Sequence, residues 1–175
     1  MIAFFKAIGI AMIFTGSTLM GIVISSSYTK RVRELLDIKS FLTMCETSMN
    51  DIGMHTYEIL QQSQSYMKTG LKDFLESVCT RLNSDYPELL ATIWAEQIKV
   101  HQLKMSLTEQ DLNVLSDIGT FLGSTGMENQ KKQIQRISSM IDKHMEDAIS
   151  LKNKNRKIAL NMGVLGGLII VLILL

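Results

Sequence analysis

The stretch LSDIGTFLGSTGMENQKKQI, residues 115–134, places Gly119, Gly123 and Gly126 within eight residues of one another. A phosphate loop of the form G-x-x-x-x-G-K-[ST] needs a lysine and a hydroxyl directly after its last glycine, usually behind a buried strand. Here Met127 follows Gly126, and no stretch of alternating polarity precedes the glycines. Leu112, Leu115, Ile118 and Leu122 recur instead at helical spacing. Gly119 lies inside that stripe, where a small residue permits close packing. Gly123 falls where a helix ends on a left-handed C′ residue. Thr125 to Glu128 reads T-x-x-E, a capping box that opens another helix. The stretch is therefore a joint between two helices and not a nucleotide site.

The same period runs outward from the joint. Upstream, Leu35, Ile38, Leu42, Cys45, Met49 and Ile52 form one stripe, ended by Gly53. A short helix fits Thr56 to about Met67, stopped by Thr69-Gly70. Leu71, Phe74, Leu75, Val78 and Leu82 mark a third. Ser84 or Asp85 is expected to cap a fourth, with Pro87 in its first turn and Leu90, Ile93, Trp94 and Ile98 on its apolar face. The fifth helix opens at Ser106-x-x-Glu109, with Thr108 as the alternative cap. Downstream, Ile134, Ile137, Ile141, Met145, Ala148 and Leu151 line a sixth. No segment alternates for long enough to form a strand. The fold class is all-α, a six-helix bundle.

Two runs flank that bundle. Residues 7–28 carry no charge, and neither do residues 158–175. About 20 apolar residues span a hydrocarbon core of roughly 30 Å. Both runs therefore read as transmembrane helices, which separate a domain of residues 30–157 from the lipid. The first run is too long for the apolar region of a signal peptide and lacks a small-residue cleavage site. In the second, Gly163, Gly166 and Gly167 would let another helix approach closely.

Charge position sets the topology. Lys30, Arg31 and Arg33 follow the first run, and Lys152, Lys154, Arg156 and Lys157 precede the second. Between these collars, residues 34–151 hold ten Lys/Arg against 17 Asp/Glu, a net −7 that the overall +1 conceals. Positive-inside logic puts both collars, and the domain between them, in the cytoplasm. The collars suit anionic membrane lipids. An acidic middle excludes nucleic acid as a partner.

No constellation of catalytic residues emerges. His55, His101 and His144 lack paired ligand spacing and read as surface or boundary residues. Glu96 and Glu109 read as solvated helix-face acids. Cys45 and Cys79 sit alone on apolar stripes and read as buried free thiols. Met49, Met140 and Met145 read as core filling, and Trp94 as a core anchor. The expectation is a non-enzyme with no metal and no cofactor. A two-span sensor with a cytoplasmic helical domain is the alternative. It is disfavoured because the pieces outside the two runs hold only a few residues at each end.

The order of these parts resembles the stage III sporulation protein AB family over the whole chain. The short first span, six soluble helices, the motif LGSTGMENQ ahead of a long helix and the hydrophobic tail all match. Leu122, Gly123, Thr125 and Gln130 carry the most specific part. The chain differs at Gly126, where an acidic residue is usual, and around MNDIGMHTYEIL, which lacks the usual Thr-Pro. The resemblance implies a membrane platform component of the assembly between mother cell and forespore, similar to type II secretion. Its implied partners are a secretion-type ATPase and other membrane components of that complex. It implies residence in the outer forespore membrane, with the domain on the mother-cell side, and no enzymatic activity. The turn holding Gly123, Thr125, Glu128, Asn129, Gln130, Lys131 and Lys132 is the candidate partner-docking face.

Overall fold

The stripe Leu35, Ile38, Leu42 and Cys45 is fully buried, and it belongs to the first helix of an all-helical chain. The computed structural model describes residues 2–50, 56–84, 88–122 and 127–174. Among them the chain forms α1 (Ile2–Asn50), α2 (Thr56–Gln64), α3 (Gly70–Leu82), α4 (Leu90–His101), α5 (Glu109–Leu122) and α6 (Met127–Leu174), with no strand.

The chain divides into two compact units. One comprises Lys30–Asp147. Within it α2 packs on α3, α3 on α4 and α4 on α5. Helices α1 and α6 meet through the Lys39–Asp142 ion pair and a 3.3 Å hydrogen bond from Gln135 to Glu46. The core centres on Trp94, which is 1% exposed. Phe74 meets it edge-on at 4.8 Å and Phe41 stacks at 6.1 Å. Aromatic pairs at such separations add about 0.5–1.5 kcal/mol each beyond their buried area. The indole N–H donates 2.8 Å to the Leu115 carbonyl, so a polar atom in the apolar centre is satisfied. Cys45 and Cys79 are free and buried, and burial pushes the Cys45 thiol up to about 12.

The other unit comprises Met1–Thr29 and Ala148–Leu175. Its described backbone is helical, at the first part of α1 and the last part of α6. Among the described residues no helix is long and apolar enough to cross a membrane. Most side chains of the runs 7–28 and 158–175 lie outside the described residues, as do the surroundings of Gly163, Gly166 and Gly167.

Several boundaries differ from the sequence reading, each for a local reason. Helix α2 stops at Gln64, where turn bonds from Ser65, Tyr66 and Met67 to carbonyls three residues back close the chain. Thr69 does not end a helix; it begins one. Its hydroxyl accepts from the Leu71 amide at the start of α3. Ser84 is not the cap of α4, because its hydroxyl donates back to the Arg81 carbonyl at the end of α3. Helix α4 starts at Leu90 with no side-chain cap; Asp85 and Pro87 lie outside the described residues. At α5, Thr108 is the cap and Ser106 is not.

Candidate functional site

The Thr108 cap has an unexpected partner. Its hydroxyl accepts from the Asp111 amide at 3.3 Å, and the Asp111 carboxylate accepts from the Thr108 amide at 2.9 Å. This reciprocal pair is a capping box with aspartate in its third position. The carboxylate reaches further. Asp111 is fully buried and accepts from Arg31 Nε at 2.7 Å and Nη2 at 3.1 Å. His144 Nδ1 lies 2.7 Å from the same group. One side chain of α5 thus ties down α1 and α6. Burial by itself pushes this carboxyl up. The Arg31 guanidinium and the Thr108 donors more than reverse that, holding it at about 2.

Two further acids of α1 act as staples. Asp37 Oδ2 accepts from the Lys68 amide at 3.0 Å, the Thr69 amide at 3.1 Å and the Thr69 hydroxyl at 2.8 Å. Glu34 is 4% exposed, and its Oε2 accepts from the Ser106 amide at 2.7 Å. The first staple fixes the α2–α3 turn and the second the α4–α5 turn. Burial pushes the Glu34 carboxyl up to about 7; the Ser106 hydrogen bond and Lys30 oppose the rise, while Asp37 and Asp111 add to it. Sequence reading missed Glu34, Asp37 and Asp111. The available signal was the spacing 30, 33, 34, 37, which puts four charges on one face of a helix that also carries a buried stripe.

The collar residues separate on inspection. Lys30 and Arg33 are exposed, whereas the Arg31 side chain is 11% exposed and faces Asp111. Arg31 is therefore a structural cation of Lys30–Asp147 and is not free to meet a lipid head group. In the other unit, Lys154 is exposed and Lys152 half-buried, while the side chains of Arg156 and Lys157 lie outside the described residues.

Of the docking turn, Gly123 and Thr125 lie outside the described residues, as does the side chain of Glu128. Helix α5 ends at Leu122 and α6 begins at Met127, on either side of those glycines. Asn129, Lys131 and Lys132 are exposed and Gln130 is half-buried on the first turns of α6.

Of the histidines, His101 departs from the expected surface or boundary place, whereas His144 is half-buried, as a boundary residue is. His101 is buried, and its Nε2 lies 3.0 Å from the Ser77 hydroxyl. Burial, and then Lys104, lower its pKa. His144 is held by Asp111, and His55 lies outside the described residues. Among the described residues no group of three or more His, Cys, Asp or Glu is arranged to hold a metal ion. Met140 and Met145 are half-buried; Met67 and Met105 are the methionines that fill the described core.

A family model described as stage III sporulation protein AB matches residues 6–175. A protein of Bacillus subtilis strain 168, named stage III sporulation protein AB, is 24% identical over 177 residues, covering 97% of this chain and 99% of its own length. A solved structure of a stage III sporulation protein AB aligns with a TM-score of 0.65 at 18% identity, covering 71% of this chain and 98% of that one. That likeness establishes the helical fold.

Proposed function

The chain belongs to the stage III sporulation protein AB family, and on that premise we propose that it is a non-enzymatic membrane platform in a secretion-like complex between mother cell and forespore. The observation that carries this reading is a charge pattern laid on a helical fold. An acidic helical unit is bounded in sequence by basic collars, and each collar adjoins an uncharged run of spanning length. In this reading the runs 7–28 and 158–175 cross the outer forespore membrane, and the bundle lies in the mother-cell cytoplasm. Lys30, Arg33, Lys152 and Lys154, with Arg156 and Lys157, meet the anionic head groups.

The work of such a part is mechanical. A secretion-type ATPase would bind the bundle, and α1 and α6, whose chain leads directly into the uncharged runs, would carry the displacement to other membrane components. The polar ties from Asp111 to Arg31 and His144 suit that role, because they couple α1, α5 and α6 through one carboxylate. The first turns of α6, with Asn129, Gln130, Lys131 and Lys132, supply the docking face.

The test is a pull-down of the full-length chain in detergent from sporulating cells, read by mass spectrometry. Recovery of a secretion-type ATPase together with membrane components of one assembly is expected. A well-folded bait that recovers neither would sink the platform reading.

A further inference from the structure

Five cations converge on one cleft of Lys30–Asp147. Lys30 and Arg33 come from α1, Lys68 from the α2–α3 turn, Lys72 from α3 and Lys104 from the α4–α5 turn. The cleft holds about 530 Å³, the size of a small-molecule site. This gathering runs against composition, since the surrounding residues 34–151 are net negative. All five side chains are exposed, and none makes an ion pair among the described residues. Five cations against the two acids of the lining, Glu34 and Asp73, leave an excess of like charge that repels, so the arrangement costs stability unless an anion binds there.

The cleft is built as well as charged. One face of α1 carries Lys30, Arg33, Glu34 and Asp37 at helical spacing. Its cations face the cleft, and its acids staple the two turns that carry Lys68 and Lys104, the first of which leads into α3 and Lys72. The two turns also touch each other. A Cβ added at Gly70 would lie 3.5 Å from the Lys104 carbonyl oxygen and 3.6 Å from Glu34 Oε1. Lys68, Lys72 and Lys104 are thus carried on backbone fixed to α1. Glu34 and Asp73 are the acids of the lining, and the Glu34 carboxylate is engaged by the Ser106 amide.

We propose that this cleft is a binding site for a phosphate group, clasped between Lys30 and Arg33 on one side and Lys68, Lys72 and Lys104 on the other. Arg33 would offer its fork to two phosphate oxygens, while the lysines act as point charges around the rest. The phosphate would come either from a small soluble phosphate monoester or from a phospholipid head group. Lys30 and Arg33 also belong to the collar that the platform reading turns to lipid head groups, but the cleft rests on its own gathering of Lys68, Lys72 and Lys104 and does not require a platform role.

Titration calorimetry on the full-length chain in nonionic detergent tests this, with glycerol 3-phosphate, inorganic phosphate and phosphatidylglycerol mixed micelles as probes. Saturable binding is expected, weakened about tenfold or more in Lys72→Ala/Lys104→Ala as charge-assisted contacts are lost. Lys99→Ala/Lys143→Ala, two exposed lysines outside the lining, serves as the control. Selective loss with the soluble probes assigns a free phosphate, and selective loss with the micelles alone assigns a lipid head group. Absence of saturable binding to every probe, or equal weakening in both double variants, overturns the proposal. Matching circular dichroism of the variants excludes unfolding as the cause.

Discussion

Arg31 and Asp111, eighty residues apart, form a two-point ion pair at 2.7 and 3.1 Å, with the carboxylate fully buried. Removing one partner leaves a buried charge without its counter-charge, which typically costs about 3–5 kcal/mol. Asp111→Asn also weakens the capping box with Thr108. In urea melts of the full-length chain, we expect Asp111→Asn to lose about 3 kcal/mol. A loss below about 1 kcal/mol would mean that the pair is no stronger than a surface salt bridge.

Gly119 lies against the Trp94 side chain. An added Cβ would come within 2.3 Å of the indole Cδ1 and Cγ and 2.7 Å of Trp94 Cβ. The indole cannot retreat, because Phe41 and Phe74 pack on it and its N–H is bonded to Leu115. Although alanine favours helices over glycine, Gly119→Ala is expected to destabilise by about 2 kcal/mol through overpacking. Equal or higher thermal stability in the variant would show that the core yields there.

Stability should depend on pH through two acids with opposite signs. The folded value of Glu34, about 7, exceeds its ordinary 4.5. The folded state therefore binds more protons in that window, and stability falls as pH rises from 4.5 to 7. Asp111, held at about 2 against an ordinary 3.8, makes stability fall as pH drops through that lower window. His101, with a lowered pKa, adds a slope that opposes Glu34. The clean measurement is the difference between the parent chain and Glu34→Gln in melts across pH 4 to 8. The parent should lose about 3 kcal/mol more than the variant over that range. Parallel curves would show that Glu34 titrates normally.

The proposed docking face predicts a separation of folding from assembly. Asn129 is exposed and Gln130 half-buried at the start of α6. Asn129→Ala/Gln130→Ala should keep the melting temperature within about 2 °C, as surface changes do. It should also cut ATPase recovery in the detergent pull-down severalfold. Normal folding with unchanged recovery would remove this face from the docking surface.

Much of the fold was legible because local physics carries it. Leu35, Ile38, Leu42, Phe74, Ile93, Trp94, Leu115, Ile118 and Ile137 were all placed on apolar stripes by period alone, and all are buried. The boundaries were less legible, since threonine and serine hydroxyls serve either end of a helix. Thr69 and Ser84 each went to the element on the other side. The charged sites were least legible. Glu34, Asp37, Asp111 and the cations Lys68, Lys72 and Lys104 look like ordinary solvated helix and turn residues when read along the chain.

Helical period, the glycine joint and the segregation of charge are properties of neighbours in sequence, so the chain by itself determined six helices, two uncharged flanks and an acidic middle. Only the tertiary structure decided that Arg31 leaves the collar for Asp111, and that three segments bring five cations around one cleft. Those arrangements join residues tens of positions apart. Their energies depend on burial and on distances of about 3 Å, neither of which exists until the helices have packed.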